Sequence, residues 1–135
     1  MFTKTAGPDL LGHQVGEVVW SLINNKKENS GSFAKFHPAI VIGRPDVMFR
    51  VVGLTSSPYM RSTGERRRKI AHPSALGLRG GQSFLWSPKV HPIMPLDFGD
   101  HIGFADQATV ELLLEYCDLL PEEALALQSL AREVR

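Results

Sequence analysis

Residues 37–55 read HPAIVIGRPDVMFRVVGLT. Two apolar, β-branched runs, AIVI at 39–42 and FRVVGLT at 49–55, flank the turn signal Arg44-Pro45-Asp46. So short a connection joins antiparallel neighbours, because a parallel pair needs a crossover of roughly a dozen residues or more. His37 to Gly43 therefore reads as one strand and Phe49 to Thr55 as the next. Pro38 lacks an N–H, which puts it at a strand start or on an edge. Gly53 is a bulge candidate.

Working outward, Gly16-Glu17-Val18-Val19-Trp20 opens another β-branched run that ends near Ile23. It reads as the first strand, with Trp20 expected in the core. The polar stretch NNKKENSGS, Asn24 to Ser32, reads as a mobile loop. Gly7-Pro8 and Gly12 break regular structure, so residues 1–14 are expected to form a flexible arm and residues 15–135 a single domain. Downstream, Phe84 to Val90 reads as a strand broken by Pro88. His101 to Ala105 reads as another, introduced by a turn at Asp97-Phe98-Gly99-Asp100. Thr109 to Leu114 fits a short strand or a helical turn.

The last element is a helix. Pro121 suits its first position, and Glu122 and Glu123 suit its first turn. Leu120, Ala124, Leu127, Ala131 and Val134 recur at helical spacing. The order predicts a mainly β, α+β fold: an antiparallel meander with a C-terminal α-helix on the sheet.

Composition narrows the function classes. Hydrophobic residues are 43% of 135 and charged residues 21%, an ordinary globular balance. The net charge of +1 names no partner, but its distribution is uneven. Residues 61–79 carry six basic side chains against Glu65, and residues 106–135 carry seven acids against Arg132 and Arg135. The single cysteine, Cys117, fits a reducing compartment and reads as a small buried hydrophobe. No apolar run reaches the ~18–20 residues of a membrane span, and MFTKTAGPDLLG has no signal-peptide core. A cytoplasmic protein with no membrane association is expected. The five histidines lack metal-ligand spacing, and no P-loop, dinucleotide fingerprint or G-x-S-x-G is present. Neither metal nor cofactor is expected.

The candidate chemistry lies at the strand ends. The start of one antiparallel strand faces the end of the next, so His37 meets Thr55, Ser56 and Ser57 at one sheet edge. Imidazole beside hydroxyls suits a phosphate: the ring exchanges protons near neutral pH and the hydroxyls donate hydrogen bonds. ERRRK at 65–69 either neutralises phosphates or is a solvated charge run. Phe33, in the polar loop, is a candidate for stacking on a base.

In order along the chain, GEVVW at 16–20, HPAIVIG at 37–43, VVGLTSS at 51–57, ADQ at 105–107 and LLPEEALAL at 119–127 resemble the PemK/MazF family of toxins. Residues 58–99 match poorly and look like a longer insertion. The resemblance implies an SH3-like, partly open antiparallel β-barrel with a C-terminal helix. It implies a homodimer and a cognate antitoxin from a type II toxin–antitoxin system. The implied activity is metal-independent endoribonuclease cleavage of single-stranded RNA, an mRNA-interferase hydrolase in which the ribose 2′-hydroxyl attacks its own phosphate. Thr55 and Ser56 match the family's hydroxyls. His37 stands where the family carries an arginine, as does Phe104 for a second arginine of some members.

His37, Thr55 and Ser56 are accordingly the expected catalytic residues. Lys35, Phe33, Arg44, Arg61, Arg66, Arg67, Arg68, Asp106 and Gln107 are the expected RNA-binding residues, with Lys35, Arg44 or Arg61 supplying the positive charge. The alternative is a PemK/MazF-like barrel that has lost catalysis and binds nucleic acid or a protein partner.

Overall fold

The computed structural model describes residues 12–24, 34–61 and 63–133. Three long strands follow the sequence reading closely: β1 (Glu17–Asn24), β2 (Ala34–Gly43) and β3 (Phe49–Thr55). They pair antiparallel, with Val18 opposite Ile40 and Ile40 opposite Val52. Of the next expected strand, Phe84 to Val90, only Phe84–Leu85 is strand (β4); a short strand that the sequence reading did not expect, β5 (His91–Ile93), follows Val90, and both pair with β3. The expected turn at 97–100 is instead largely strand, since β6 spans Phe98–Phe104. β6 returns to pair with β1, so the strands do not form a simple meander. Six strands make one mainly antiparallel sheet, ordered β4-β3-β2-β1-β6, with β5 also beside β3. The sheet is not closed into a ring by strand pairing.

The ambiguous stretch after β6 is helix α1 (Gln107–Tyr116), and α2 (Pro121–Glu133) follows. Asp106 decides the first case. Its carboxylate accepts the Thr109 N–H at 3.0 Å and so caps the helix start.

The uninterrupted AIVI run has a physical cause: β2 is buried on both faces. Ile40 and Ile42 join Val18, Val52 and Leu54 beneath Val110 and Leu113 of α1 and Leu127 and Leu130 of α2. Ala39 and Val41 point the other way, towards Val19, Ile23, Phe49, Val51 and Ile93. The sheet curls over this second cluster. Phe49 of β3 and Phe98 of β6, with two strands between them in the sheet, bring their ring centroids to 4.7 Å. Trp20 corrects the sequence reading: it is 41% exposed and belongs to neither core cluster.

One ion pair docks α2. Glu123 is buried, and its carboxylate accepts from Arg50 Nε of β3 at 2.5 Å and from Arg50 Nη2 at 3.3 Å. The same carboxylate accepts the Leu120 N–H at 2.8 Å, the return half of a capping box. Truncating one partner of a buried pair typically costs ~3–5 kcal/mol. Arg50 is itself 23% exposed, so water places the cost of Glu123→Ala near the lower end. Urea unfolding should show this loss, and Arg50→Met with Glu123→Leu should recover most of it. A double variant no more stable than the single would contradict this account.

Candidate functional site

The β2–β3 ladder runs to the pair Ala39–Gly53. Two residues further along each strand stand His37 and Thr55. A cleft of about 270 Å³ opens there, lined by His37, Thr55 and Ser56 from the strand ends and by Arg79, Gln82 and Ser83 from the segment before β4. Pro38, Leu54 and Leu78 complete its lining. The three expected catalytic residues thus share one cleft. Arg79, exposed and flanked by Gly80, adds a guanidinium to it.

The Thr55 hydroxyl oxygen accepts the Ser57 N–H at 3.2 Å, which leaves its O–H to donate outward. Ser56 is exposed. The His37 ring is half-buried against Trp86, centroids 4.7 Å apart and planes tilted by 41°. Trp86 is itself fastened: its N–H donates to the Gly53 carbonyl and its carbonyl accepts from Arg67 Nε, each at 2.8 Å. The absence of a side chain at Gly53 makes room for the indole, since a Cβ there would lie 2.6 Å from Trp86 Cε3. Gly53 therefore serves close approach. The His91 ring also lies beside Trp86, centroids 5.5 Å apart. Burial chiefly, then the charges of Lys89 and His37, holds the His91 pKa below the ordinary histidine value.

The expected RNA-binding residues separate into groups. Arg67 is only 8% exposed, and besides Trp86 it donates to the carbonyls of Ser57 at 3.1 Å and Tyr59 at 2.7 Å. It braces the chain leaving β3, a structural role in place of the expected phosphate contact. Arg68 lies 3.5 Å from Glu115 and stacks over Tyr116, so part of the basic segment meets the acidic α1. Arg66 donates to the Tyr59 hydroxyl at 3.2 Å, and Arg61 is exposed. Arg44 follows the opposite end of β2 and lies over the Phe49 ring. Asp106 and Gln107 start α1, at the end of the sheet where Phe104 pairs with Glu17. They are remote from His37, and Gln107 bonds Glu111. Lys35 is paired with Ile23 in β2. Phe33 and most of the polar loop lie outside the described residues.

A second concentration of ionisable groups centres on Glu17. Its buried carboxylate bonds His13 Nδ1 at 2.9 Å through one oxygen and His101 Nδ1 at 2.8 Å through the other. This ties the chain before β1 to β6. Cys117 offers no nucleophile: burial, and then Asp118, push its thiol up to about 12. Among the described residues no group of three or more His, Cys, Asp or Glu side chains is arranged to hold a metal, and no helix is long and apolar enough to cross a membrane.

The sequence reading missed Arg79, Gln82, Ser83 and the Trp86 support. Gly80-Gly81 marks the segment only as a turn. Nothing local says that the turn delivers Arg79 to the end of β3. Geometry and chemistry together define an α+β domain with a polar, cationic cleft at the mouth of its central strands. Compared with models of known protein families and with curated proteins, the chain matches none.

Two outcomes follow for this site. Gly53→Ala should cost ~1–3 kcal/mol through overpacking and shift tryptophan fluorescence as Trp86 moves; an unchanged spectrum would contradict the packing. His91 binds its proton less readily folded than unfolded, so stability rises with pH across the interval just below 6.5. The contribution is complete above the unfolded value and lost as pH falls through the lowered folded value. His91→Phe should flatten that part of the stability profile measured by thermal unfolding between pH 5 and 7.5, as an order-of-magnitude window of about 2–3 units.

Proposed function

We propose that this chain is a metal-independent endoribonuclease of the PemK/MazF type, acting on single-stranded RNA. The observation that carries the reading is the convergence of His37, Thr55, Ser56 and Arg79 on one cleft. The curl that brings Phe49 to Phe98 supports an SH3-like, partly open barrel as the frame. A homodimer, a cognate antitoxin and a cytoplasmic setting belong to the same proposal.

In this mechanism the ribose 2′-oxygen attacks the adjacent phosphorus while the bond from phosphorus to the 5′-oxygen breaks. The products are a 2′,3′-cyclic phosphate and a 5′-hydroxyl. His37 either takes the proton from the 2′-hydroxyl or gives one to the leaving 5′-oxygen, and water makes the other transfer. Trp86 holds the ring in place. Thr55 and Ser56 donate hydrogen bonds to the non-bridging oxygens. Arg79 balances the charge gathered on the phosphorane, the task the resemblance assigns to an arginine at the position of His37. The residue changes place, and the guanidinium comes from the insertion.

A second reading is a barrel that binds RNA without cutting it. It draws on the replacement of both family arginines, at His37 and Phe104.

Purified protein incubated with a long single-stranded RNA in EDTA distinguishes these readings. Fragments ending in cyclic phosphate and 5′-hydroxyl are expected. His37→Ala should slow cleavage by ~10²–10⁴-fold, and Arg79→Ala by ~10²–10³-fold. Intact RNA with wild type, or undiminished cutting by His37→Ala, overturns the mechanism. Intact but bound RNA selects the second reading.

A further inference from the structure

His37 has a cross-strand neighbour that does not line the cleft. Ser21 of β1 stands directly opposite it in the β1–β2 ladder. Both side chains belong to the inner face of the curled sheet. Val19 and Ile23 alternate with Ser21 along β1, Ala39 and Val41 continue the His37 alternation along β2, and all four are in the apolar cluster on that face. Directly opposed Cβ atoms stand ~4.5–5.5 Å apart. Side-chain rotation alone therefore brings an imidazole nitrogen and a serine hydroxyl within hydrogen-bond reach.

Ser21 is fully buried, and its Oγ has no hydrogen-bond partner. Buried polar side chains nearly always find one, so this hydroxyl calls for an explanation. On the β6 side Ser21 is paired with Phe98, whose ring packs on Phe49 and His13. Further along the same face of β1 the buried carboxylate of Glu17 is held by His13 and His101. The unpartnered hydroxyl thus occurs where the strand faces His37. Small size alone does not account for it, since alanine would fill the place without burying a polar atom.

The His37 ring leans on Trp86 in the free protein. Catalytic hydrogen bonds are often incomplete without substrate and tighten when it binds. A phosphate in the cleft that engages one ring nitrogen leaves the other turned towards the sheet interior. A hydroxyl suits a ring that gains and loses a proton: it accepts from an N–H and, after rotating its own hydrogen, donates to a lone pair. Arg79, in the cleft, has no acceptor to offer. His91 is the rival partner, because it also lies beside Trp86 and its Nε2 is buried without a hydrogen bond.

We infer that Ser21 is a positioning residue for His37: its buried hydroxyl bonds the ring nitrogen turned away from the cleft while the other nitrogen meets a phosphate. The inference rests on the reading of the cleft as an RNA-cleaving site and adds the group that orients its imidazole.

The experiment compares wild type, Ser21→Ala and Ser21→Thr, each carrying isotope-labelled histidine nitrogens. Magnetic resonance follows the His37 ring while inorganic phosphate is added. In wild type both ring nitrogens should shift, and in Ser21→Ala only the one that meets phosphate. Ser21→Thr keeps the hydroxyl and should restore the second shift. With single-stranded RNA as substrate, Ser21→Ala should lower kcat roughly 10- to 100-fold at unchanged KM, and Ser21→Thr should recover most of the rate. His37 signals alike in wild type and Ser21→Ala throughout, or full-rate cleavage by Ser21→Ala, overturn the inference and leave the cleft reading intact. A change confined to the His91 signals makes Ser21 the partner of that ring and overturns it equally. No response of His37 to phosphate in wild type, together with uncut RNA, overturns the cleft reading and the inference with it.

Discussion

The contact between Arg50 and Glu123 governs more of the architecture than its size suggests. It links strand β3 to the first turn of α2, and through the Leu120 N–H it also sets where that helix begins. With the start of α2 fixed, Leu127 and Leu130 fall onto Val18, Ile40 and their neighbours. Each such side chain gains ~1.5–3 kcal/mol on burial, so the apolar contacts supply most of the energy. The ion pair supplies alignment, because a carboxylate taken out of water tolerates no other placement. Covering one half of the sheet face also determines what is left uncovered. Beyond Val18 and Ile40 that face carries the exposed Trp20 and Phe36, and the cleft opens at the strand ends.

The double-sided burial of β2 is the complementary constraint. A strand packed on both faces accepts polar residues only at its ends. His37 and the Thr55-Ser56 pair occupy such ends, where water and ligand have access. The support beneath His37 follows the same logic. Trp86 belongs to the chain leaving β4, yet Gly53 admits it against the sheet and Arg67 fastens its carbonyl. A buried arginine in a run of basic residues is thus part of the frame on which the imidazole rests.

The sequence made the frame legible wherever local pattern and global packing agree. β-Branched runs and the Arg44-Pro45-Asp46 turn mark β1 to β3, and Pro121 with its periodic leucines marks α2. The His37–Thr55 meeting follows from antiparallel register alone. The return of β6 to β1 is a long-range choice without a local signature, and a Gly-Asp turn signal at 99–100 masks its beginning. α1 needed its Asp106 cap to be weighed against a run that fits either period. Charge was the least legible property. ERRRK looks uniform, but Arg67 is buried, Arg68 leans on Glu115 and Tyr116, and only tertiary placement separates them. Arg79 was hidden for the same reason: a lone cation beside glycines acquires meaning only from what the fold sets against it. Trp20 reads as core because strand aromatics usually are, whereas the helices stop short of it.

The separation between the twice-covered strands and the cleft at their mouths bears on how such a domain diversifies. Substitutions at 37, 55, 56 or 79 touch few of the contacts that hold the strands, so they exact little from folding. Side chains in the AIVI run have almost no such latitude. New ligand preferences would therefore accumulate at the strand termini and in the segment before β4, while the centre drifts only among apolar residues of similar volume. A chain of this design keeps its shape long after the chemistry at its rim has been rewritten.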